Sequence, residues 1–329
     1  MSNAPGDPRP TAVVLGASHW HALLYREAFA RRFRVIAVQD GELETAQRFA
    51  EPLAATAIAS VDDALNHAGI DVVFVFSPHH EMLTIGLSLV DRGIPFVIEK
   101  PAGMNLVELR MIEKRARSAG VPATVALVQR GAPVDSWLRR AGDIIYERMA
   151  FIAGPPARYQ ANGNPWMLDP ALSGGGSLMN LGPHFVDMAI RHLGPFDDIV
   201  KRLSATLHGA AVDDHATVIL SASSGREAIV EVGYAFPDSR LKRYCSFTAA
   251  GTLGFASVDT SGSATFTAND GSIITATLEV DSDPLYEVFV DCVADTLVTG
   301  FAGMPTLAEL VDTMELIWEP HRVEAASHG

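Results

Sequence analysis

Four stretches in the first third of the chain, TAVVLG, RVIAVQD, DVVFVFSP and PFVIEKP, are apolar without polar alternation, and that feature restricts the fold more than any other. A strand with one wet face alternates, whereas a strand that is apolar throughout is covered on both sides, as in a parallel sheet. Between these stretches lie segments with helical spacing. HALLYREAFARRF puts Leu23, Leu24, Ala28 and Phe29 on one side, and ELETAQRFAEPL, DDALNHAGI, MLTIGLSLVDRG and NLVELRMIEKRARSAG follow, before a last strand ATVALVQR. Strands and helices in alternation predict a doubly wound, Rossmann-type α/β domain over residues 1–128.

Residues 129–329 read differently. IVKRLSATLH, HATVILSAS, EAIVEVGYAF, RYCSFTAAG, SATFTA and SIITATL alternate apolar and polar residues between Gly, Asp and Ser turns. That pattern predicts an antiparallel sheet with one covered face. Two helices follow, around PLYEVFVDCVADTLVTG and TLAELVDTMELIWEPH. The second domain is therefore expected to be α+β, with a large, mostly antiparallel open sheet.

Bulk composition excludes several partners. The 329 residues suit two domains, and a formal net charge of −14 argues against nucleic acid or an anionic membrane surface, which demand a surplus of Lys and Arg. No window approaches the ~20 apolar residues of a membrane span. The polar, proline-rich start MSNAPGDPRP lacks the apolar core of a signal peptide, so a cytoplasmic protein is expected. Cys245 and Cys292, without a CxxC or a nearby histidine pair, predict two small buried thiols and no metal site.

The first βα turn is G-A-S-H-W-H, Gly16 to His21. A dinucleotide fingerprint, G-x-G-x-x-G, uses its glycines for turn geometry, pyrophosphate approach and helix packing. Only Gly16 matches; Ser18 and His21 hold the other two positions, with His19 and Trp20 between them. A Ser18 hydroxyl can donate to a phosphate, and the helix N-terminus favours an anion. Asp40 ends the second strand 24 residues after Gly16. It is either an acceptor for adenosine ribose hydroxyls, which would also repel a 2′-phosphate, or a solvated turn residue. At the ligand-binding edge of the same sheet stand Ser77 in SPHH, with His79, and the tripeptide Glu99, Lys100, Pro101. Lys100 either steadies negative charge on a substrate hydroxyl or snorkels to the surface beside Glu99. Adjacent His79 and His80 diverge, so contact with a cofactor is expected rather than a metal.

In GGGSLMNLGPHFVD, residues 174–187, Asn180 and His184 stand four apart and share a face if the segment is helical. His184 is either a proton-transfer group or a histidine that caps and packs. Tyr159 and Trp166, just before the glycines, either shape a substrate wall or belong to the core. Asp187 reads as structural, and His192 and His215 as surface or packing residues.

EKPAG after a six-strand dinucleotide-type domain, then GGG-x-x-x-N-x-G-x-H-x-x-D, resembles the Gfo/Idh/MocA oxidoreductase family. RGAP at 130–133 is similar to that family's R-aromatic-x-P, WMLDPALSGGG to its Trp before the glycines, and GTLG at 251–254 to its G-T-x-G turn. The resemblance covers nearly the whole chain. It implies hydride transfer between NAD, with NADP not excluded, and a carbinol carbon of a sugar, polyol or cyclic diol. The position matching His184 would be the acid/base, apt because an imidazole titrates near pH 6.5. Lys100 would orient the hydroxyl, and a homodimer or homotetramer through the C-terminal sheet would be expected. The family usually has Asp where this chain has Asn180. A neutral amide orients the ring without adding charge, so a weaker base is expected. His79 and Met82 likewise replace the Asn and His common after the fourth strand. The rival expectation is a non-catalytic sensor of dinucleotide or sugar on the same fold. A transferase or hydrolase using another nucleotide has no P-loop or G-x-S-x-G in its favour.

Overall fold

The structure, a computed structural model, describes residues 8–239 and 242–319. The first seven residues of the polar start and the last two of TLAELVDTMELIWEPH lie outside the described residues. The chain forms two compact units. One comprises residues 1–126, 162–166 and 283–311, the other 127–161, 167–282 and 312–329. Among the described residues no helix is long and apolar enough to cross a membrane.

In the first unit six strands form a wholly parallel sheet. They are β1 (Thr11–Leu15), β2 (Arg34–Gln39), β3 (Thr56–Ile58), β4 (Val72–Val75), β5 (Phe96–Ile98) and β6 (Ala123–Val125), in the order β3-β2-β1-β4-β5-β6. β1, β4 and β5 are buried at every position, which is why their sequences carry no polar alternation. The last strand is shorter than ATVALVQR suggests, because the backbone turns into a 3₁₀ segment at Val128–Gly131. Helix boundaries have local causes. Asn105 accepts from Glu108 N while Glu108 reaches back to Met104 N, a reciprocal cap for the helix Leu106–Ala119, and Gly120 ends it in the left-handed region. The strand order reverses between β1 and β4, so the loops after β1, β4 and β5 meet at the edge where open parallel sheets bind ligands. The helix Asp283–Thr296 belongs to this unit and packs on Ala22–Arg32 through Tyr25, Tyr286 and Phe289.

The second unit is an eight-stranded sheet in the order β14-β13-β12-β11-β7-β10-β9-β8. Its strands are β7 (Ile144–Ala153), β8 (Asp198–Ser204), β9 (His215–Ser221), β10 (Glu227–Gly233), β11 (Arg243–Gly251), β12 (Gly254–Asp259), β13 (Ser263–Ala268) and β14 (Ile273–Thr277). Every ladder is antiparallel except β7 with β10. β7, the central strand, is not evident from sequence. Its first half carries Glu147 and Arg148, and from Met149 to Ala153 every residue is buried, so no alternation marks it. In β9 and β10 the alternation is plain, with Ala216, Val218 and Leu220 beside Ala228, Val230 and Val232 on the covered face. The helix Ser177–Leu193 packs on that face against β10 and β7. On the opposite face Val200, Tyr244 and Phe255 remain exposed. GTLG forms the turn between β11 and β12.

Two expectations are corrected. Cys292 is exposed, since it falls on the outer side of its helix; only Cys245 is buried. His192 is not a surface or merely packing residue. Its side chain is fully enclosed between Glu147, at 2.7 Å from Nδ1, and Asp135, at 2.9 Å from Nε2.

Candidate active site

The first unit holds one set of candidate residues at the C-terminal ends of its strands. Gly16 ends β1 at φ +80, and a Cβ there would lie 2.6 Å from Ser77 N, so no other residue lets β1 leave the sheet beside β4. At the second fingerprint position the Ser18 N–H donates to Asp40 Oδ2 at 2.7 Å, and the Ser18 carbonyl accepts from Asn164 Nδ2 at 2.9 Å. Asp40 also takes the Glu42 N–H on Oδ1 at 3.1 Å, which leaves each carboxylate oxygen a further lone pair. His19 stacks on Trp20 with ring centroids 3.9 Å apart, and Trp166 packs near both and edge-on to His79. Burial, then the neighbouring His21, pushes His19 well below the usual imidazole range. Trp166 thus stands with the glycine loop.

Glu99 and Lys100 follow β5 and are both 2 % exposed, so Lys100 does not snorkel. Burial brings the Lys100 ammonium down to about 8, against the opposing pull of the Glu99 carboxylate. Glu99 Oε1 receives the Tyr25 hydroxyl at 3.1 Å and lies 3.2 Å from His21 Nδ1. Ser77 and His79 are buried at the end of β4, and Pro101 follows Lys100 through a cis peptide.

The second unit holds the others. Its triple glycine makes room for backbone. A Cβ on Gly176 would lie 2.0 Å from the Asp213 carbonyl oxygen, so the bare backbone admits the loop before β9. Asp213 then caps the helix Ser177–Leu193. Its carboxylate accepts from Gly176 N, Ser177 Oγ and Leu178 N at 2.7–2.8 Å. The helix N-terminus has its anion already. The helix after Gly16, Ala22–Arg32, has no acidic residue in its first turn and suits an external one.

Asn180 and His184 lie one turn apart on this capped helix, 3 % and 7 % exposed. Asn180 Nδ2 donates to Tyr159 Oη at 2.6 Å and to Tyr234 Oη at 3.1 Å. Arg158 donates to Tyr159 Oη at 2.9 Å and lies over both tyrosine rings. Burial, with Tyr159 beside it, raises the Tyr234 phenol well above its usual range. Tyr159 is therefore a buried hydrogen-bond partner of Asn180. Asp187 pairs with Arg130 of RGAP through both carboxylate oxygens, tying the helix to the 3₁₀ segment Val128–Gly131. His215, half-buried, meets Glu231. Sequence reading missed Asp213, Arg158, Tyr234, Asn164 and Tyr286. Asp213 alone left a signal, as the first of two acids before a strand.

Comparison with known proteins shows the family. Residues 12–127 match the family model of the oxidoreductase family, NAD-binding Rossmann fold, and residues 139–257 match that of the GFO/IDH/MocA C-terminal domain. A trans-1,2-dihydrobenzene-1,2-diol dehydrogenase of Xenopus laevis is 29 % identical over 207 residues, 60 % of each chain. The Danio rerio enzyme of that name is 26 % identical over 222 residues, 64 % of each. The chain thus spans less than two thirds of these curated relatives. An inositol dehydrogenase homologue from Azotobacter vinelandii, solved with NAD+, superposes with a TM-score of 0.80 at 16 % identity over 96 % of both chains. Levoglucosan dehydrogenase, solved with NADH and levoglucosan, gives 0.79 at 15 % identity over 94 % of this chain and 95 % of that one. At such identities the likeness is one of fold.

Proposed function

Because the chain belongs to the Gfo/Idh/MocA family of NAD-binding oxidoreductases, we propose that it is an NAD-dependent dehydrogenase or reductase of CH–OH groups in small sugar-, polyol- or cyclic diol-like compounds. The observation that carries this reading is Lys100, a fully buried lysine at the ligand edge of a parallel sheet, brought down to about 8. The residues present fit the cofactor: a Gly16 turn that excludes any side chain, a helix with no acidic residue in its first turn, and the Asp40 carboxylate after β2. Gly16, Ser18, His19, Trp20, Ser77, His79, Glu99 and Pro101 would line it. Asp40 would accept the adenosine ribose hydroxyls and disfavour a 2′-phosphate. When bound, the nicotinamide accepts or supplies the hydride.

The chain's own groups handle the proton and the charge. Lys100 donates to the reacting oxygen and steadies the negative charge that grows there, its buried setting strengthening that interaction. His184 takes the hydroxyl proton during oxidation and returns it during reduction. Asn180, neutral and tied to two tyrosine hydroxyls, orients without adding charge. The diol and sugar dehydrogenases among the relatives support the substrate class. The apolar outer face of the second sheet, with Tyr244 and Phe255, supports self-association as a homodimer or homotetramer.

Titration with NADH and NADPH, followed by nicotinamide fluorescence and then by turnover of polyols and sugars, tests the reading. NADH is expected to bind more tightly than NADPH, and Lys100→Met to abolish turnover with the fold intact. Absence of NADH binding overturns the proposal. Binding without turnover of any substrate returns the sensor.

A further inference from the structure

The His21 imidazole stands where a dinucleotide fingerprint has its third glycine, whose smallness serves close packing of helix on strand. This chain fills that position and closes it with hydrogen bonds. His21 is 8 % exposed. Its Nδ1 lies 3.2 Å from Glu99 Oε1, and its Nε2 lies 3.0 Å from the Tyr286 hydroxyl, with ring centroids of His21 and Tyr286 4.5 Å apart. All these groups belong to the first unit. One ring therefore joins the start of Ala22–Arg32 to the residue after β5 and to the helix Asp283–Thr296.

The donors can be assigned. The Tyr25 hydroxyl donates to Glu99 Oε1. A carboxylate oxygen accepts, so the His21 Nδ1–H donates to the same oxygen. The His21 backbone N–H meanwhile donates to His19 Nδ1 at 3.1 Å, which marks that nitrogen as an acceptor. Glu99 Oε2 is buried with no hydrogen-bond partner among the described residues, so the two donors on Oε1 are what hold this carboxylate. The ionisable groups around the cluster are His19 and Tyr25 from the loop and helix after β1, His79 after β4, Lys100 after β5 and Tyr286.

We propose that His21 is a positioning residue that holds the Glu99 carboxylate beside Lys100, so that the filled fingerprint position serves the lysine. The Glu99 charge counters the burial of Lys100. Taking away the imidazole donor leaves the buried carboxylate with one donor fewer, so it is held less firmly beside Lys100 and its counter-charge weakens. The Lys100 ammonium then loses its proton at lower pH. The link to catalysis rests on the dehydrogenase reading above, whereas the link between His21 and Lys100 does not.

The chain has four lysines, Lys100, Lys114, Lys201 and Lys242, so side-chain NMR of protein labelled with [13C]lysine resolves them, with Lys100→Met assigning the signal of interest. His21→Gly, which restores the fingerprint glycine, is expected to lower the Lys100 midpoint by about one pH unit, the scale of a close opposite charge. His21→Gln, which keeps a donor, should recover part of that shift. Tyr286→Phe, which removes only the hydroxyl seating Nε2, should move the midpoint the same way by less, and it stands in if the glycine variant does not fold. A Lys100 midpoint unmoved by His21→Gly, or by Tyr286→Phe in its place, overturns the proposal. A shifted midpoint supports it even if no substrate turns over, and that combination would count against the dehydrogenase reading alone. Where turnover is measurable, the basic limb of its pH profile should shift with the lysine.

Discussion

The Asn180 side-chain amide donates to the Tyr159 hydroxyl at 2.6 Å and to the Tyr234 hydroxyl at 3.1 Å, so both of its protons are committed. A residue that looked in the sequence like a weakened aspartate is the hub of a buried polar cluster. The cluster also carries the Arg158 guanidinium, hydrogen-bonded to Tyr159. Low dielectric strengthens such a network and makes a missing partner costly.

Tyr159→Phe removes the oxygen that receives both Arg158 and Asn180. It should destabilise the protein by about 1–3 kcal/mol, the cost of orphaned buried donors. Urea unfolding measures this. A loss under about 0.5 kcal/mol, the scale of a surface change, would show that the tyrosine oxygen is dispensable.

Gly176→Ala places a Cβ against backbone that has no room to yield, 2.0 Å from the Asp213 carbonyl oxygen. A cost of about 3 kcal/mol is expected, at the upper end for overpacking. Asp213→Ala, which strips the helix cap but opens space, should cost about 1–2 kcal/mol. Thermal and urea denaturation of the two variants should rank them in that order, and a reversed ranking would move the role of the triple glycine from close approach to capping.

Asp40→Ala should weaken NADH binding more than NADPH binding, because the carboxylate is expected to act on the ribose. The Ser18 and Glu42 N–H groups it holds would also lose their acceptor, loosening the loop for both cofactors. Fluorescence titration with each separates the effects. An equal loss for both would leave Asp40 with the loop alone.

His192 should give the fold a pH dependence. Burial by itself pushes its imidazole down, but hydrogen bonds to the Asp135 and Glu147 carboxylates outweigh burial and raise it. A group raised on folding contributes fully below its unfolded value, about 6.5 for histidine, and the contribution disappears as pH rises through the raised folded value. Asp135, held low against burial by His192 and Arg139, adds the opposite arm, lost as pH falls through its depressed value. The stability gap between wild type and His192→Gln should therefore narrow as pH is raised from 6 to about 9. A gap that stays constant across this range would assign His192 to packing alone.

Lys100, His184 and Asp40 could be picked out as candidates from sequence because each sits at a place that periodicity defines: the end of an apolar strand, or a helical face after a glycine run. The parallel sheet was legible for the same reason, since β1, β4 and β5 are buried on both faces and their composition says so. β7 was hidden because the central strand of the second sheet carries Glu147 inward to meet His192, an inversion of the pattern that marks strands. Cys292 and His192 were misjudged by the same limit, because residue type predicts average burial and not the particular neighbour.

Local order of apolar and polar residues determined the two sheet types, the helices between and the positions where ligand-binding groups can stand, because burial acts on each strand and helix face wherever it lies. Tertiary structure alone decided the pairings: Asn180 with Tyr234 across 54 residues, and His21 with Tyr286 across 265. Hydrogen bonds of this kind depend on distance and direction between groups far apart in the chain. Neither is encoded in the spacing of either partner, and both exist only once the packed elements bring the groups together.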